Sequence, residues 1–171
     1  NNKYYQTAWR RSGTFPGGFL MDGGVHHVAV LRQILGEVVS VSALAKQMRA
    51  DLPPADTLSA ALEFERGTLG TYNVTYTAGA PWSSALHLVG ERGTLRVDRN
   101  LLEVISSGQL QPVSYTENKS VTDELAAFAD AIQNGTPHRN SPTEALNDVA
   151  VIEALLQSAE TGTRVTPKRF A

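Results

Sequence analysis

The stretch "TLSAALEFERGTLGTYNVTYT", residues 57–77, changes polarity at nearly every step on both sides of an Arg66-Gly67 turn signal. In its first half Leu58, Ala60, Leu62 and Phe64 fall on one face; in its second, Tyr72, Val74 and Tyr76 alternate with Thr71, Asn73, Thr75 and Thr77. A period of two is the mark of a strand with one buried face, and two such runs about a glycine turn predict antiparallel pairing. Outward from this pair, "VVSVSALA" (38–45), "SSALHLVG" (83–90), "TLRV" (94–97) and "LLEVIS" (101–106) are further strand candidates, and "GERGT" (90–94) is another turn signal. About six consecutive antiparallel strands are expected.

Before and after this run the period becomes helical. From Phe19 to Leu35, the residues Met21, Val25, Val28, Leu31 and Leu35 recur at spacings of three and four, and Gly36 stands where a C-cap glycine belongs. "SVTDELAAFADAIQNG" places Leu125, Phe128, Ala129 and Ile132 on one face and stops at Gly135. The last helix opens with Ser141 as N-cap, Pro142 at the first helical position and Glu144 completing a capping box, and it ends at Gly162. Residues 1–18 read as a loop. Helix, strands, then helices describe an α+β fold: an open, mostly antiparallel sheet of about six strands with helices packed on one face.

The totals suit a single domain over residues 1–171, with 42% apolar and 19% charged residues. A net charge of −2 and a pI near 6.1 give no electrostatic reason to expect nucleic acid or an anionic membrane as partner. The absence of cysteine excludes disulfides, thiolate chemistry and cysteine-ligated metal centres. No apolar run reaches the roughly 18 residues needed to span a bilayer, and "NNKYYQTAWRR" lacks the apolar stretch of a secretory signal. A cytoplasmic protein is the expectation. The chain lacks an initiator methionine and is expected to be a piece of something longer.

Chemistry is concentrated at the first helix. Asp22 and His26 are four residues apart, so their Cβ atoms lie about 5–6 Å apart on one helical face, and the carboxylate can orient the imidazole as a general acid/base. The bland reading of the same residues is an acid favoured by a helix N-terminus and a histidine that is merely satisfied. Gly23 and Gly24 each cost a helix about 1 kcal/mol relative to alanine, which suggests close approach of something, such as a small ligand over the helix start. His27 points about 100° away from His26 and reads as a packed histidine. A metal held by His26, His27 and Asp22 is disfavoured, because adjacent histidines diverge on a helix and no third ligand cluster is visible. Trp9 and Arg10 either wall a pocket and bind an oxygen-rich ligand or simply pack and solvate. No G-x-S-x-G, P-loop or G-x-G-x-x-G is present, and a hydrolase with Asp22 as base lacks a second placed carboxylate.

The segment Gly17-Gly18-Phe19-Leu20-Met21-Asp22-Gly23-Gly24-Val25-His26 resembles the G-G-x-L-x-D-x-G-x-H motif of the Gfo/Idh/MocA oxidoreductase family. Trp9-Arg10, the "GERGTL" turn and the closing "SPTEALNDVAVIEALLQSAETGTRV" are similar to that family's C-terminal domain, in the same order. The resemblance covers essentially the whole chain. It implies that Asp22 and His26 occupy catalytic positions, with His26 exchanging a proton with a substrate hydroxyl. Trp9, Arg10, Gly23 and Gly24 would line the substrate site. It also implies an N-terminal Rossmann domain, absent from this chain, that binds NAD or NADP, so the chain alone is expected to hold no cofactor tightly. The substrate would be a sugar, polyol or related hydroxy compound, and a homo-oligomer would form through the open sheet face. The family's glycine-rich fingerprint and Glu-Lys-Pro segment have no counterpart here, and Ala29 stands where many members carry an acidic residue. Two functions follow: the substrate and dimerisation domain of an NAD(P)-dependent oxidoreductase, or a non-catalytic ligand-binding or dimerising module derived from one.

Overall fold

The computed structural model describes residues 3–77, 84–98, 101–114 and 119–171. The alternating stretch around Arg66-Gly67 is a hairpin: β2 (Thr57–Phe64) pairs antiparallel with β3 (Leu69–Thr75), setting Leu58 opposite Val74 and Ala60 opposite Tyr72. β1 (Val38–Lys46) lies on the other side of β2, giving a three-stranded sheet in the order β1-β2-β3. The apolar positions of the alternation, Leu58, Ala60, Leu62 and Phe64, are all buried.

Two helices cover that buried face. α1 (Ala8–Arg11) is a single turn within the segment expected to be loop, and α2 (Gly18–Leu35) follows it and is closed by Gly36. α4 (Pro142–Thr161) packs on β1 and against α2. Leu20 and Val28 of α2, Ile152 and Leu155 of α4, and Val41, Leu58, Leu62 and Phe64 of the sheet share one core. Ser141 caps α4 by accepting the Glu144 N–H at 3.2 Å, and Pro142 occupies the first helical position. After α4 the chain returns along β1, where Val165 and Val41 exchange two backbone hydrogen bonds of 2.9 and 3.0 Å. Ser158, fully buried, accepts from the Ala43 N–H at 3.0 Å and donates to the Thr163 carbonyl at 2.6 Å, tying the last turn of α4 to the sheet and to its own exit.

The chain divides into two compact units, residues 1–78 with 139–171 and residues 79–138. The second contains β4 (Leu86–Gly90), β5 (Gly93–Asp98), β6 (Leu101–Ser106) and β7 (Gln109–Ser114), an antiparallel sheet in that order, and α3 (Ser120–Asn134). The run of strands is therefore two sheets, of three and four strands, within the expected α+β class. Period alone assigns faces but not partners, so it does not reveal where a sheet ends. β7 was not anticipated, because Gln109, Gln111, Pro112 and Ser114 hide its alternation; Pro112 is tolerated there because β7 is an edge. α3 stops at Gly135 as expected, yet Leu125, Phe128 and Ile132 on its apolar face are exposed. No described helix is long and apolar enough to cross a membrane.

Candidate functional site

The entry to α2 is set by Gly17 and Gly18, both at positive φ (73° and 51°); a Cβ on Gly18 would stand 2.5 Å from the Pro53 carbonyl oxygen. Asp22 follows in the second turn of α2 and faces α1. There the Arg10 guanidinium meets the Asp22 carboxylate through Nε at 2.9 Å and Nη2 at 2.7 Å, both to Oδ2. Arg10 is held from several sides. Its Cζ lies 4.2 Å from the centre of the Trp9 ring and 5.2 Å from that of Phe19, and Nη1 donates to Thr7 Oγ1 at 3.1 Å. Trp9 is itself edge-on to Phe15, and Phe19 stacks at a tilt on Tyr76.

Thus Trp9, Arg10 and Asp22 meet at the helix start, and His26 sits one turn further along the same face, exposed to solvent. The expected Asp22–His26 hydrogen bond is absent: among the described residues the imidazole makes none, and the carboxylate is given to Arg10.

Gly23 and Gly24 do permit a close approach, but by the protein itself. A Cβ on Gly23 would lie 2.0 Å from Tyr76 Oη, and one on Gly24 would lie 2.8 Å from Ile152 Cδ1. Gly24 is buried, so the space expected for a ligand is occupied at that point by α4. His27 is the packed histidine that its phase predicts, with Nδ1 2.9 Å from Tyr72 Oη. Burial, and then the neighbouring His26, push its pKa down, while burial pushes the Tyr72 phenol up.

A cavity of about 360 Å³ opens beside His26 between α2 and the start of α4, with Ala29, Gln33, Arg139, Asn140 and Glu144 in its lining. That volume falls within the range of small-molecule sites. Its floor holds a charged cluster that the sequence did not disclose. Arg32, whose side chain is 4% exposed, binds both Glu37 carboxylate oxygens at 3.0 and 2.7 Å, Asp148 Oδ1 at 2.6 Å, and the Glu144 carbonyl and Oε2 at 3.0 and 2.8 Å. Burial works against the Arg32 charge, but bonds to Glu37, Asp148 and Glu144 overcome it and raise its pKa. Burial likewise raises the Asp148 carboxyl, with the Arg32 bond opposing. Glu144 and Asp148 lie 112 and 116 residues beyond Arg32, too far for any local pattern to pair them.

A model of the oxidoreductase family, C-terminal alpha/beta domain, matches residues 1–166. The chain belongs to the Gfo/Idh/MocA oxidoreductase family. Dehydrogenase FPY6 of Fusarium mangiferae, a relative, is 32% identical over 168 residues, which cover 92% of this chain and 48% of that protein. The crystal structure of an oxidoreductase (TM0312) from Thermotoga maritima superposes with a TM-score of 0.87 at 35% identity, covering 97% of this chain and 49% of its own. Levoglucosan dehydrogenase in complex with NADH shares the fold, with a TM-score of 0.82 at 19% identity over 96% of this chain and 54% of its own. The chain spans about half the length of the curated relatives it matches.

Proposed function

We propose that this Gfo/Idh/MocA domain is the substrate half of an NAD(P)-dependent oxidoreductase acting on a sugar, polyol or related hydroxy compound, with His26 as the proton carrier. The observation that carries the reading is the position of His26: a solvent-exposed imidazole one turn beyond the Arg10–Asp22 pair and on the rim of a 360 Å³ cavity. In alcohol oxidation the neutral imidazole accepts the hydroxyl proton as the carbinol becomes a carbonyl; in reduction the imidazolium returns it. Asp22, within reach of the positive charge that forms on the ring, stabilises it. Gln33, Arg139 and Asn140 in the cavity lining are suited to a ligand rich in hydroxyl groups.

The dinucleotide does not fit the described residues. Every described strand pairing is antiparallel, so they contain no parallel βαβ crossover of the kind that seats a pyrophosphate. The proton, rather than the hydride, is this chain's share of the chemistry, and NAD or NADP belongs to the full-length enzyme. Self-association through the outer face of β1-β2-β3 is part of the same proposal, supported by exposed Leu44 and Leu69 beside Ser59, Thr71 and Asn73. So is a cytoplasmic location. The non-catalytic module gains no support from relatives that are dehydrogenases.

The test is His26→Ala in the enzyme assembled with its nucleotide-binding half, assayed on a polyol panel with NAD and NADP. Loss of a positioned acid/base predicts a fall in kcat of about 10²–10⁴. Unchanged turnover would refute the assignment.

A further inference from the structure

The polar side chains of the cavity beside His26 fall into two sets. All three acids of its lining, Glu37, Glu144 and Asp148, bond to Arg32. Arg139, Asn140 and Gln33 line the same space, and none of them makes a hydrogen bond or ion pair among the described residues. Arg32 is outnumbered by its acids, so the floor is a poor place for an anion; the exposed Arg139 is the one lining cation among the described residues that no carboxylate has taken. The two ends of the cavity also differ. α2 and α4 run antiparallel, because Gly24 meets Ile152 whereas Arg32 meets Asp148 and Glu144. His26 therefore lies toward the middle of α4, while Arg139 and Asn140, which precede α4, belong to the end where Arg32 and Gln33 stand. From His26 to Gln33 the axis of α2 advances about 10 Å.

We propose that Arg139 is the specificity-determining residue of this cavity and that the substrate is a sugar acid whose carboxylate lies several carbons from the carbinol that reacts. This rests on the function proposed above and narrows its class of hydroxy compound. A planar guanidinium grips a carboxylate through two parallel N–H···O bonds, which fix orientation as well as adding affinity. With the carboxylate at Arg139, the rest of the molecule extends past the Ala29 methyl group toward His26, and its hydroxyls meet Gln33, Asn140 and the half-exposed Glu144 carboxylate. A 2-hydroxy acid is too short, because its carboxylate is attached to the reacting carbon and cannot reach the far end of a span of about 10 Å. A neutral polyol fills the space but leaves the Arg139 charge unmatched, so it binds more weakly.

Every lining residue of the cavity belongs to this chain, so binding is read on it directly, by NMR titration of the Gln33 and Asn140 side-chain amides with D-glucuronate, D-glucose and D-lactate. The first two differ only in a carboxylate against a hydroxymethyl group, and the third is a short 2-hydroxy acid. D-Glucuronate is expected to bind about tenfold more tightly than D-glucose, the worth of hydrogen bonds between charged partners at a partly exposed site, and the advantage narrows as salt is raised. Arg139→Gln brings D-glucuronate to the Kd of D-glucose and leaves that of D-glucose within about twofold, while Arg139→Lys retains part of the preference. D-Lactate binds about tenfold more weakly than D-glucuronate. In the enzyme assembled with its nucleotide-binding half, Arg139→Gln raises KM for the acid and leaves kcat within about twofold, as expected of uniform binding away from the proton transfer. Arg139 is exposed and lies outside every helix and strand, so the variant is expected to fold, and the Val28 and Leu155 resonances check that it does. The proposal is overturned if D-glucose or D-lactate binds as tightly as D-glucuronate, if Arg139→Gln keeps the preference, or if D-glucuronate leaves the Gln33 and Asn140 resonances unmoved. If instead His26→Ala leaves turnover intact, the acid/base role falls while the binding comparison stands.

Discussion

Replacing Arg32 with methionine removes five hydrogen bonds at once, but the three carboxylates left behind are not equivalent. Glu144 and Glu37 have side chains 49% and 28% exposed and can be rehydrated; Asp148, at 8%, cannot. The cost is therefore that of one buried carboxylate losing its partner, about 3–5 kcal/mol, with little added by the other two. Adding Asp148→Leu should recover most of that loss, since an apolar pair of similar volume commonly equals or exceeds a buried ion pair in stability. The pH dependence has a fixed sign. In Arg32→Met the downward pull on Asp148 is gone and burial still pushes its pKa up, so the native state holds a proton that the unfolded chain releases near the usual carboxylate range. Stability of the variant must fall as pH rises through that window, and its deficit against the native chain must shrink toward pH 4. Urea unfolding followed on NMR resonances of Val28 and Leu155 reports the unit concerned without assuming that both units melt together. A single-variant loss below about 1 kcal/mol at pH 7, or a double variant no more stable than the single, would refute this account.

Two further perturbations test the packing beneath the site. Gly24→Ala drives a methyl group to within 2.8 Å of Ile152 Cδ1, and overpacking of about 1–3 kcal/mol outweighs the gain of about 1 kcal/mol in helix propensity; a rise in melting temperature would contradict it. His27, whose folded pKa is lowered by burial and by His26, binds fewer protons in the native than in the unfolded state below its ordinary value of 6.5. Native stability must therefore decline as pH drops through that value, and His27→Gln should flatten the decline in melting temperature between pH 7.5 and 5. An equally steep slope in the variant would assign the decline to another group.

The elements that sequence made legible are those with local causes. α4 runs between Ser141 and Gly162 as its capping residues dictate, and α2 ends at the glycine placed to end it. Phase also separated His26 from His27. What escaped is non-local. Arg32 reads as one polar position on an amphipathic helix, and only the fold brings Glu144 and Asp148 to it. Arg10 and Asp22 were both singled out, but their union depends on a one-turn helix too short for periodicity to reveal. The glycine pair pointed correctly to a close approach, while the identity of the approaching groups, Tyr76 and Ile152, depends on how β3 and α4 pack.

The unit that contains His26 is assembled from two segments separated by sixty residues of chain. Its sheet is complete by Thr75, yet α4, which packs on β1 and shares the core with Val41, begins only at Pro142. On the ribosome, which adds about 5–20 residues per second, the part of the apolar sheet face that α4 covers must wait several seconds. The Ala43–Ser158 bond, spanning 115 residues, forms only after that delay. A nascent chain arrested between these points would expose a sticky half-core, which makes this interval the one in which a holdase would matter most to its yield.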